Sequence, residues 1–194
     1  MRPYTFSAED QAQIVKYLQS GAKKWSNIHP QSLAAPWENE PVEPQTGTSP
    51  EGLPWCLMRG PRGAWNGYVG VPPGHPAFKF SELVEERAEV HGGVTYGYLA
   101  TANKDPNEFF WFGFDCAHGY DIAPGTYSPI IPSAEYRTLE FALAETLSLA
   151  KQLHEFKPPT SAELLQRLRD AEPTLVEQYL MALEAEAQAR RCAP

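Results

Sequence analysis

Apolar residues at helical spacing open the chain. Ile14, Tyr17 and Leu18 share one side of residues 8–19. Ser7 stands as an N-cap, Glu9 and Asp10 put acids in the first turn, and Gly21 follows, so the pattern predicts a helix over 8–19 closed by that glycine. From residue 27 to residue 63 no period survives. Seven prolines lie there (Pro30, Pro36, Pro41, Pro44, Pro50, Pro54 and Pro61), a density that excludes helix. This arm either hangs as a loop or wraps the domain, with Trp37 and Trp55 as pins. Residues 38–49, acidic and turn-rich, read as its most mobile part.

Strand-like runs follow. Residues 55–58 and 65–71 come first, with Gly67 and Gly70 allowing close backbone approach in the second. Phe78, Phe80 and Leu83 predict a short helix beginning near Ser81. Residues 94–100 and 108–115 then form two strands joined by the polar turn 101–107. In the second of these, Phe110, Phe112 and Phe114 alternate with Phe109, Trp111 and Gly113. A strand wetted on one face would not be apolar on both, so this one is expected at the centre of a sheet.

The last third is helical. Thr138 caps a helix over 139–156 with Leu139, Leu143, Leu147, Ala150 and Leu153 on one stripe, ended by Lys157-Pro158-Pro159. Thr160 and Glu163 make a capping box for a short helix carrying Leu164, Leu165 and Leu168. Pro173 begins a final helix with Leu175, Val176, Tyr179, Leu180 and Leu183, and residues 184–194 fray. These helices pack on their own domain or on a second copy. The class is α+β: a small antiparallel sheet, a long Pro-rich N-terminal arm and a helical C-terminal third. The segments 1–26, 27–63, 64–157 and 158–194 belong to one compact domain.

Charge narrows the partners. A net charge of −8 opposes long duplex nucleic acid, whereas local arginines still allow a small nucleotide. Three scattered cysteines suggest reduced thiols, and no run approaches the ~18 apolar residues of a membrane span. A soluble, cytoplasmic protein is expected.

The candidate chemistry lies between residues 90 and 121. A His91-Gly92-Gly93 corner enters one strand, and Asp115-Cys116-Ala117-His118 leaves the next. If the strands are antiparallel, the two corners meet. His91, Asp115 and His118 are then expected within the ~4–6 Å over which charges shift one another's pKa. Asp115 could orient His118 as a general base, join both histidines as a metal ligand, or hold backbone amides in a turn. Asp121 can enter either of the first two arrangements. Lacking a compact motif such as HExxH, the chain is assigned neither metal nor cofactor. Cys116 reads as a nucleophile or as a buried thiol. Arg59, Arg62 and Arg137 form a possible anion-binding set, with Tyr136, Gly92, Gly93 and Asp121 as further ligand contacts. Arg137 also sits near the positive end of the long helix. Trp65, Tyr68, Tyr96, Tyr98 and Trp111 stack on a base or fill the core, and His75 sits in a rigid proline turn.

Three ordered motifs, GYVGVPPGHP at 67–76, VHGGVTY at 90–96 and WFGFDCAH at 111–118, resemble a group of small bacteriophage and prophage proteins of unknown function. Members of that group read GYVxVPxGHP, VHGGxTY and GFDxAHxGD, then a Tyr-Lys or Tyr-Arg pair before a helix, here Tyr136-Arg137. The similarity spans about residues 65–153 and departs where Tyr120-Asp121 replaces Gly-Asp. It implies a phage-related setting in a bacterial host and no particular activity. Three functions follow as expectations. The first is an accessory protein that binds a small ligand or host protein, for example counter-defence by sequestering a nucleotide signal. The second is a small hydrolase acting on a phosphoester or similar bond through His91, Asp115 and His118. The third is a partner-binding module.

Overall fold

The structure, a computed structural model, describes residues 7–28, 34–99, 109–126 and 133–170. The expected turn 101–107, the helix after Pro173 and the fraying end lie outside the described residues. The chain divides into two compact units, Met1–Phe156 and Lys157–Pro194. No helix among the described residues is long and apolar enough to cross a membrane.

The first unit is built on a five-stranded antiparallel sheet, as the α+β pattern predicts. Its strands are β1 (Gln45–Thr48), β2 (Pro54–Arg59), β3 (Trp65–Val71), β4 (Tyr96–Leu99) and β5 (Phe110–Asp115), in the order β1-β2-β3-β5-β4. Helix α1 (Ala8–Ile28) precedes them, α2 (Ser81–Arg87) lies between β3 and β4, and α3 (Leu139–His154) follows.

The doubly apolar strand β5 lies between β3 and β4, where its composition requires it. Phe112 pairs with Val69 and Phe114 with Gly67 in the register. On this face Trp65, Val69, Phe112 and Phe114 pack with Ala142, Leu149 and Leu153 of α3. On the other face Trp111 is buried with Cys56 and Met58, flanked by Tyr68 and Tyr96. Each phenylalanine buried here is worth about 1.5–3 kcal/mol, so both faces anchor the strand. Helix α3 begins as its sequence dictates, with the Thr138 hydroxyl accepting a hydrogen bond from Phe141 N at 3.2 Å.

Two expectations are corrected. Residues 38–49 are not the mobile part of an arm. Trp37 is buried in a short 3-10 turn, and β1 pairs along its length with β2. The prolines exclude helix but not this arrangement, because Pro54 opens its strand and Pro50 sits in the turn before it, where no ladder bond is lost. Helix α1 also runs past Gly21. A side chain at Gly21 would put its Cβ 2.6 Å from the carbonyl oxygen of Pro124. The glycine therefore admits a neighbouring turn (Pro124–Thr126) rather than ending the helix.

In the second unit, α4 (Ser161–Asp170) starts with the reciprocal cap that its sequence predicts. Thr160 N donates to Glu163 Oε2 at 2.7 Å, and Glu163 N donates to Thr160 Oγ1 at 3.3 Å.

Candidate functional site

Antiparallel pairing of β4 and β5 brings the two corners together. Tyr96 pairs with Gly113, and Thr95 N donates to Gly113 O at 2.9 Å just beyond the ladder. The chain entering β4 and the chain leaving β5 thus share one end of the sheet. The imidazoles of His91 and His118 meet there edge to face, with ring centres 5.2 Å apart.

The carboxylate that joins them is Asp121. After β5 the chain makes a tight turn, closed by Asp121 N donating to His118 O at 2.9 Å. Ile122 N then donates to Glu135 O at 2.8 Å, and Glu135 N donates to Tyr120 O at 3.0 Å, which locks Asp121 beside the segment leading into α3. Its side chain is 1 % exposed. Asp121 Oδ2 lies 2.7 Å from His91 Nε2 and 3.2 Å from His118 Nδ1, and accepts from His118 N at 3.0 Å. Oδ1 accepts from Arg137 Nε at 2.9 Å. Burial pushes the Asp121 pKa up, but the hydrogen bonds from His91, Arg137 and the His118 amide outweigh it and hold the carboxyl below its ordinary range.

Neighbouring groups fix the rings. Gly92 has φ +70°, and a Cβ there would stand 1.9 Å from His118 Cε1, so the imidazole occupies the space a side chain would take. His91 packs edge-on against Phe141, with centres 5.3 Å apart, and its amide donates to Glu145 Oε2 at 2.6 Å. Arg137 also donates to Glu135 Oε2 at 2.8 Å and lies over the Phe141 ring at 5.0 Å.

Other expected members go elsewhere. Asp115 Oδ1 accepts from Ala117 N at 2.9 Å, and Thr95 Oγ1 approaches Oδ2 at 3.5 Å. Asp115 thus serves as the turn-holding carboxylate, and Asp121 touches both imidazoles in its place. Burial, aided by Asp121 and Asp115, pushes the Cys116 thiol up to about 12, so at neutral pH it is not the thiolate a nucleophile requires. His75 Nδ1 accepts from Ala77 N at 3.1 Å, which makes it part of its own turn.

The anion-binding trio is not assembled. Arg59 is 1 % exposed and spans the interior, donating to Glu40 Oε2 at 3.0 Å and to Gly63 O at 2.6 Å. Tyr136 turns the same way, its hydroxyl donating to Glu40 Oε2 at 2.6 Å and accepting from Arg59 Nη1 at 2.9 Å. Arg62 is exposed in the β2–β3 turn. A buried guanidinium must be paired, and Glu40, which sequence reasoning did not single out, supplies the partner.

Two kinds of ligand fit this architecture. His91, His118 and Asp121 each bring one ligand atom within 4.8 Å of the other two, and imidazole nitrogen and carboxylate oxygen are types that bind divalent metals. Separately, a cavity of about 300 Å³ opens between α1 and the sheet face opposite α3, lined by Asp10, Ile14, Met58, Asn66, Tyr68 and Tyr96. The two tyrosine rings cross at 86° with centres 5.2 Å apart, and Asn66 Nδ2 donates to Tyr68 OH at 3.2 Å. A scan of family models matches none, and curated proteins and solved structures give no match either.

Proposed function

We propose that this protein is a small hydrolase that cleaves a phosphoester or similar bond at the His91–Asp121–His118 cluster, in a phage-related setting in the cytoplasm of a bacterial host. One observation carries the reading: a single buried carboxylate oxygen contacts two partly exposed imidazoles. A carboxylate so placed selects an imidazole tautomer and raises its basicity. Rings this close can share the two proton transfers of a hydrolysis. One takes a proton from the attacking water as the new P–O bond forms, and the other gives a proton to the leaving oxygen as the old bond breaks. Turnover of bis(p-nitrophenyl) phosphate and a panel of cyclic dinucleotides provides the test. Wild type is expected to release product, and His118→Ala to be slower by about 10²–10⁴-fold, the usual worth of a general acid–base group, with an unchanged circular dichroism spectrum. Absence of product from wild type, or a wild-type rate in the variant, would reject hydrolysis.

A second reading, capture of a nucleotide signal without cleavage, is supported by the tyrosine-lined cavity. Its volume lies at the lower end of the ~300–1,000 Å³ of small-ligand sites. Tyr68 and Tyr96 offer π-faces to a base, and Asn66 offers both donor and acceptor to its edge. In that case an intact nucleotide co-purifies and is found by mass spectrometry after denaturation, and Tyr68→Ala abolishes its capture.

A further inference from the structure

We infer that His91, His118 and Asp121 form a binding site for a divalent first-row transition ion, zinc in the first instance, held by His91 Nε2, His118 Nδ1 and Asp121 Oδ2. The inference rests on the hydrolase reading for the use of the ion, which when bound would activate the attacking water in place of an imidazole, but not for its binding.

Donor type and convergence come first. Two imidazole nitrogens and a carboxylate oxygen are ligands that zinc takes at about 2.0–2.2 Å, leaving a fourth position open in catalytic centres. Ligands of a tetrahedral ion at those lengths stand roughly 3.3 Å from one another. Here both nitrogens already lie 2.7 and 3.2 Å from the oxygen, and each of the three side chains brings a ligand atom within 4.8 Å of the others. Small side-chain rotations therefore suffice to admit an ion.

Hydrogen bonding points the same way. Asp121 Oδ2 faces His91 Nε2, His118 N and His118 Nδ1 within 3.2 Å. When both rings present N–H groups to it, an oxygen with two lone pairs meets three donors. When the rings carry their protons on the outer nitrogens instead (His91 Nδ1 and His118 Nε2), one cation takes the place of the two N–H groups and leaves the oxygen a metal bond and the amide hydrogen bond.

Local charge also favours a cation over a bare phosphate. Asp121, Glu135 and Glu145 contribute three negative charges and Arg137 one positive charge, so with neutral imidazoles the site carries −3 + 1 = −2. A divalent ion neutralises this and offsets the repulsion between the site and an anionic substrate. Finally, the ligands are held in place by their neighbours. Arg137 Nε holds Oδ1, which orients the carboxylate, while Phe141 and Gly92 position the two rings.

Chelator-treated full-length protein titrated calorimetrically with zinc chloride, and with cobalt(II) for its visible spectrum, tests this. One ion per chain is expected, with cobalt giving the intense d–d bands of a low-coordinate site. Affinity should fall at least ~10-fold in His91→Ala and in Asp121→Asn, while His154→Ala, which removes an exposed histidine elsewhere, leaves it unchanged. Should Asp121→Asn fail to fold, His118→Gln, at a more exposed position, serves instead. Much less than one ion per chain, binding of magnesium alone, or wild-type affinity in the site variants would overturn the assignment. The two readings separate cleanly. Stoichiometric zinc with no product from any phosphoester supports the metal site and rejects the hydrolase. Full turnover by protein that takes up no metal does the reverse.

Discussion

Glu40→Ala is expected to destabilise the first unit by about 3–5 kcal/mol, the usual cost of removing one partner from a buried ion pair. Glu40 Oε2 accepts from Arg59 Nη2 at 3.0 Å, Trp65 Nε1 at 2.7 Å and Tyr136 OH at 2.6 Å. Its Oε1 accepts from Leu139 N at 2.7 Å, the first residue of α3, where the helix dipole favours a negative charge. One carboxylate therefore joins β2, β3, the segment before α3 and the helix itself. Without it, the Arg59 guanidinium, whose side chain is 0 % exposed, keeps its contact with the Trp65 ring and its carbonyl acceptors but loses its counter-charge. Urea unfolding followed by tryptophan fluorescence measures the loss. Glu40→Gln, which keeps the shape but not the charge, should cost less than alanine. A change below about 1 kcal/mol in the alanine variant, the scale of an exposed pair, would show that the network contributes little.

Glu40 also marks where the sequence stops being legible. Its partners Tyr136 and Leu139 are 96 and 99 residues away, and local composition around it says only that the segment is acidic and rich in proline. Such a stretch reads as mobile until the far side of the fold supplies a buried arginine and a helix N-terminus. The central strand was legible because its evidence is local: aromatic residues on both faces of the six positions 109–114 have one sensible location. The meeting of His91 and His118 followed from the same strand pair. The choice of carboxylate did not. Asp115 and Asp121 each lie three residues from His118, and composition cannot rank them. The backbone decides, because the turn at 118–121 folds Asp121 back under the imidazole while Asp115 is drawn to the amide of Ala117.

Gly92→Ala is the second substitution with a large expected effect, and it acts on the site. Two costs combine. An L-residue at φ +70° pays roughly 1–2 kcal/mol for the left-handed backbone. The new methyl group would also stand 1.9 Å from His118 Cε1 and 2.1 Å from Nε2, so the ring must leave Asp121. Gly93→Ala separates these costs. Gly93 has φ +84° with nothing within 4 Å of an added Cβ, so that variant bears the backbone cost alone. Gly93→Ala should lose about 1–2 kcal/mol of stability, and Gly92→Ala more than that. Gly92→Ala should additionally reduce zinc affinity at least ~10-fold and any turnover by about 100-fold, while Gly93→Ala retains both. Equal behaviour of the two in zinc titration would mean that the contact between Gly92 and His118 does not position the ring.

The claim on which the site depends is that the Asp121 carboxylate holds both imidazoles. Long-range ¹H–¹⁵N correlation spectra of metal-free protein, which report the protonation of each ring nitrogen, address it directly. With Asp121 Oδ2 accepting from both rings, His91 should carry a proton on Nε2 and His118 on Nδ1. Asp121→Asn should abolish both preferences, leaving the mixed tautomers of a free imidazole. A proton confined to Nδ1 of His91 or to Nε2 of His118 in the wild type, or spectra unchanged by Asp121→Asn, would contradict the arrangement.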